Sequence, residues 1–108
     1  MKIIAVNISK TIKDSKDPLN ATRRAWKLKL ESCLDCDFVI GVANGKIIEV
    51  YRFIDVCNDL IQKGRVAFCL QQATPIESFV IRFAFDVKKI NIKNFVVKNI
   101  IETDIFNL

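Results

Sequence analysis

A chain of 108 residues, 51% of them apolar, is enough for one domain with its own core and too short for two. Cationic and acidic residues number eight and two in residues 1–30, two and six in 31–60 and seven and four in 61–108, for a formal charge of +5. There is no histidine, which excludes Ser–His–Asp and Cys–His catalysis, and no apolar run nears the roughly 18 residues of a membrane span.

The opening KIIAVNIS alternates and predicts a strand with Ile4, Val6 and Ile8 on one face. Its apolar part is too short for a secretory signal, so a cytoplasmic protein is expected. KTIKDSKDPLNA reads as a loop. Asp17 before Pro18, or else Asn20, caps a helix over NATRRAWKLKLESCLDC, in one or two pieces. On such a helix Thr22, Arg23 and Trp26 share one patch, being three and four apart, whereas Arg24 points elsewhere.

DFVIGV reads as a strand, Asn44–Gly45 as a type I′ hairpin turn and KIIEVYRFI as the returning strand. The second strand is expected to place Ile48, Val50 and Ile54 on one face and Glu49, Tyr51 and Phe53 on the other. DVCNDLIQKG is a connection with at most one helical turn, RVAFCLQ a strand and ATPIE a turn. In SFVIRFAFDVKK, Phe79, Ile81, Phe83, Phe85 and Val87 alternate with mixed residues, which predicts a strand lining the interior of the fold. INIKNFVVKNII supplies a further strand, and the last residues a short helix or a frayed end.

Cys33 and Cys36 form a C-x-x-C spacing with no second pair and no histidine to complete a zinc site, so no metal is expected. The pair precedes a strand, unlike a redox motif at a helix start. Cys57 and Cys69 are read as small packing residues in a reducing compartment. The glycines, Gly41, Gly45 and Gly64, make no phosphate-binding loop. With the commonest general base absent, neither an enzyme nor a cofactor is expected.

Binding chemistry is better supplied. Flat bases stack on aromatic rings and guanidinium planes, and Thr22, Arg23, Arg24, Trp26, Tyr51 and Arg52 are the candidates. Trp26 is read first as the peg between helix and sheet, with Arg23 at a pocket rim as the functional alternative.

TRRAWKL, then CDFVIGVANGKIIEVYRF, then RVAF resembles a group of small bacterial proteins with a PUA-like barrel, related to the EVE, ASCH and YTH domains. The resemblance covers Ala21 to Leu70 and does not extend to the segment after Leu70. The elements above make a mainly β, α+β fold over residues 1–108, with five or six strands and one or two short helices near the amino-terminal third; closing such a sheet removes its edges, and the resemblance implies the same PUA-like barrel. It also implies recognition of RNA or DNA, including modified bases, at a pocket beside the barrel. The expected function is therefore a non-enzymatic nucleic-acid or nucleotide-binding module with no membrane contact. The alternative is a protein-interaction or accessory module, homodimeric through the mixed outer face of SFVIRFAF.

Overall fold

A computed structural model describes residues 2–15, 17–24, 26–87 and 97–99. The molecule is an α+β domain built on a mixed sheet. Strand β1 (Lys2–Asn7) pairs in parallel with β2 (Phe38–Ala43). The connection between them carries helices α1 (Ser9–Ser15), α2 (Pro18–Arg23) and α3 (Leu30–Cys33). Strands β2 and β3 (Lys46–Asn58) form a hairpin, and β4 (Val66–Gln72) returns antiparallel along β3. Helix α4 (Pro75–Val87) follows, and the three residues of β5 (Val97–Asn99) pair antiparallel with the outer edge of β1.

The sheet runs β4-β3-β2-β1-β5 and is open, with β4 and β5 at opposite edges. The expected closed barrel is thus not formed. A parallel β1–β2 pair needs a crossover, and the crossover helices cover one face of the sheet while α4 covers the other. Ile4, Val6, Ile8, Ala21, Val39, Val56 and Phe68 make the core under α1–α3, which unites Ile4, Val6 and Ile8 as the alternation predicted. Ile3, Ala5, Ile40, Val50, Ile81, Ala84 and Phe85 make the core under α4. Strand β2, FVIGVA, is buried at every position because both its faces are covered.

Two expectations fail on helices. The first is the loop beginning KTIK. Residues from Ser9 are helical there, because the Asn7 side chain accepts from Ser9 N at 2.9 Å, and Ile8 and Ile12 then fall one turn apart on the core. The second is SFVIRFAF, which is helix and not strand. Phe-rich sequence satisfies period 2 and period 3.6 together, since Ile81, Ala84 and Phe85 lie at helical spacing as well. The start of α4 decides between them. Thr74 Oγ1 accepts from Glu77 N at 3.1 Å, Glu77 Oε1 accepts from Thr74 N at 2.9 Å, and Pro75 occupies the first helical position. This capping box is written in ATPIE. Phe79 and Phe83 consequently lie outside the core, stacked on each other at 6.0 Å.

Smaller differences have local causes. Asn44 and Gly45 take the positive φ values of 54° and 75° that a type I′ turn needs, as predicted. Strand β3 continues four residues beyond Ile54, held by β4. Irregularities between Gly41 and Val42 and between Phe53 and Asp55 break its alternation, so Val50 is buried while Ile48 and Ile54 are exposed. The remainder of the expected strand INIKNFVVKNII beyond β5, and the final residues, lie outside the described residues.

Candidate functional site

Helix α2 sets the site. Asp17 caps it by accepting from Leu19 N at 3.1 Å, and Pro18 occupies its first position. The helix lies close on β2 because Gly41 has no side chain. A β-carbon there would sit 2.5 Å from Thr22 Oγ1 and 3.2 Å from Ile8 Cδ1. Thr22 is fully buried, and its hydroxyl donates to Pro18 O at 2.6 Å. It is a packing residue and presents nothing to a ligand.

The helix ends at Arg23, and Arg24 is already extended. Trp26 therefore does not share a helical face with Thr22 and Arg23, contrary to the spacing argument. Instead Trp26 N donates to Val66 O at 3.0 Å and Val66 N to Trp26 O at 2.9 Å, a bridge on the outer edge of β4. The indole Nε1 donates to Thr22 O, which returns Trp26 to Thr22 by another route. The ring is half-buried, packing on one side against the core under α1–α3. Trp26 is thus both a peg and a partly open surface.

The turn from Asn58 to Arg65 faces it. Asp59 Oδ1 accepts from Ile61 N and Gln62 N, both at 2.9 Å, and from Arg24 Nη2 at 3.2 Å. The Gln62 N–H first, then the Arg24 guanidinium and the Ile61 N–H, hold the Asp59 carboxyl far below the usual carboxylate range. Gly64, at φ 78°, turns the chain back into β4. One acidic side chain therefore shapes the turn and ties Arg24 to it.

Thr11, Asn20, Arg24, Trp26, Gln62 and Arg65 together line a polar cleft of about 400 Å³ between α1, α2 and this turn. The elements of that layer also carry exposed Lys10, Lys13, Arg23, Lys27, Lys29 and Lys63. Two guanidiniums, an indole and two carboxamides converge on one cleft, a set suited to a flat, anionic, hydrogen-bonding ligand. Asp59, Gln62 and Arg65 were missed in the sequence. The signal was the pattern D-x-x-x-x-G-R, an Asx-type turn with a glycine exit.

The hairpin candidates lie elsewhere. Tyr51 is buried under α2, and burial pushes its phenol up to about 12, so it offers no stacking face. Arg52 is exposed, and its Nε donates to Glu77 Oε2 at 2.9 Å, tying β3 to the start of α4. Neither joins Trp26. Cys33 and Cys36 are buried, and burial raises both thiols, Cys36 to about 11. Cys57 and Cys69 are exposed, not packed as expected, because β3 and β4 extend beyond the cover of α4. Among the described residues no three His, Cys, Asp or Glu side chains converge as a metal site, and no helix is long and apolar enough to cross a membrane.

No family profile, curated protein or solved structure matches this chain.

Proposed function

We propose that the protein is a non-enzymatic module that binds nucleic acid or a nucleotide at the Trp26 cleft. The observation that carries this reading is the convergence of the half-buried indole with Arg24 and Arg65 on one polar cleft. The indole supplies a stacking face for a base, plain or modified. Arg24, Arg65 and the surrounding lysines supply contacts for phosphates, and Asn20 and Gln62 supply donors and acceptors for a base edge. The resemblance to PUA-like domains contributes only its sequence motifs, because the sheet here is open where those barrels close.

Trp26 is the chain's only tryptophan and reports directly on the cleft. Its fluorescence is titrated with single-stranded RNA, single-stranded DNA and duplex DNA. At low salt at least one of them quenches or shifts the emission. Affinity then falls with salt, with a slope of about −0.7 to −0.9 per phosphate contacted, and Arg65→Gln makes that slope shallower by about one contact. No change with any of the three refutes the proposal.

A second reading, a module that docks another protein through α4, is favoured by one observation. Ile76, Phe79 and Phe83 are exposed together on the outer side of that helix, where Phe79 and Phe83 stack. Loss of partner capture in Phe79→Ser, with nucleic-acid binding absent throughout, separates it from the first.

A further inference from the structure

The two edges of the sheet differ. At one edge, β1 is covered by β5. At the other, β4 pairs with β3 on its inner side only. The Trp26–Val66 bridge shows which β4 residues aim their backbone outward. In an antiparallel strand successive residues alternate, so Phe68, Leu70 and Gln72 follow Val66 in presenting N–H and C=O to the outside. Among the described residues no backbone group bonds them there. Natural edge strands are usually blunted by charge, proline or a bulge. VAFCLQQ has no charge and no proline, and the irregularity near it belongs to β3.

We propose that β4 pairs antiparallel with β4 of a second copy of this chain, about a two-fold axis at Leu70. The strand itself selects the occupant, since its open residues Phe68, Leu70 and Gln72 are symmetric about Leu70 and a second β4 satisfies all of them. The chain carries +5 overall, but β4 brings no charge against its own copy. The register is selected by Trp26. With Leu70 on the axis, Phe68 of each copy meets Gln72 of the other, and Leu70 meets Leu70. Each of these pairs exchanges two hydrogen bonds, so every open group is used. An axis at Phe68 would need the outward groups of Val66, which Trp26 already occupies. An axis at Gln72 would leave Phe68 unpaired and run past the end of β4. The chosen register also brings the second copy's Leu70 over the groove beside the edge, about 520 Å³, which Leu19, Arg23, Phe68 and Leu70 help to line.

This pairing places Cys69 opposite Gln71 of the second copy, in a non-hydrogen-bonded pair where the strands approach most closely. Sedimentation velocity on the whole chain, without nucleic acid, is expected to give twice 12.4 kDa. Leu70→Pro removes the outward N–H at a position where an edge strand tolerates proline, together with the Leu70 side chain's packing on the core, and returns the mass to one chain with the circular dichroism of the fold retained. In Cys57→Ser/Gln71→Cys, mild oxidation joins Cys69 to the introduced thiol and gives a covalent dimer, whereas Cys57→Ser alone gives none. A single-chain mass from micromolar to millimolar concentration, a dimer that survives Leu70→Pro, or no crosslink in the cysteine variant overturns the proposal. The crosslink decides it even where the proline variant does not fold.

Discussion

Replacing Gly41 by alanine probes the contact that holds α2, and with it Trp26 and Arg24, on the sheet. The new β-carbon would lie 2.5 Å from Thr22 Oγ1, roughly 1 Å or more inside an ordinary contact of about 3.5–4.0 Å. Neither side yields easily. β2 is hydrogen-bonded to β1 and β3, and Thr22 is buried with its hydroxyl committed to Pro18 O. The expected cost is about 3 kcal/mol, the upper end for overpacking. Thr22→Ala alone loses one hydrogen bond, about 1 kcal/mol, and one buried methyl, about 1 kcal/mol. It also removes the atom that alanine at 41 would strike hardest, leaving only the 3.2 Å approach to the flexible end of Ile8. The double variant should therefore cost about 2 kcal/mol, not the roughly 5 kcal/mol of simple addition, a coupling far above the usual 0.3–0.5 kcal/mol scatter. Urea unfolding followed by Trp26 fluorescence measures all three. Additive costs, or a Gly41→Ala variant as stable as the wild type, refute this account of how α2 is seated.

Thr74→Ala breaks the reciprocal cap of α4 and should lower stability by about 1 kcal/mol, a fall of about 4 °C or more in Tm by calorimetry. The folded Asp59 carboxyl titrates below its ordinary 3.8, so its contribution is fully present above that value and is lost as pH falls. Denaturant titrations from about pH 6 down to pH 2 should show this loss, and Asp59→Asn should be less stable near neutrality with a flatter acid limb. A thiol reagent should modify Cys57 and Cys69 rapidly in the folded protein and reach Cys33 and Cys36 only on unfolding, because burial both shields the latter pair and raises their thiols.

Much of the framework was legible locally. The strand pattern of KIIAVNIS, the Asn44–Gly45 turn, the apolar run FVIGV and the Asp17–Pro18 helix start all hold, because each rests on a short-range cause: pleat alternation, positive φ, or a side chain reaching an N–H two residues away. The capping boundary of α4 was equally local, but the alternating phenylalanines outweighed it. Part of the candidate site was legible as well. Trp26 and Arg24 were found as rare residue types, while Arg65 and Gln62 lie some forty residues further on and reach the cleft only because β4 returns along β3.

By itself, then, the sequence determined strands β1 to β4, the first hairpin, the absence of histidine chemistry and the basic character of the amino-terminal third. Tertiary structure alone decided three things. The sheet stays open because helices cover both faces. Tyr51 and Arg52, adjacent in sequence, go to the core and to α4 because neighbours on a strand point to opposite faces. Trp26 leaves the helix because the outer edge of β4 offers Val66 two unpaired backbone groups, and a buried polar backbone must find a partner.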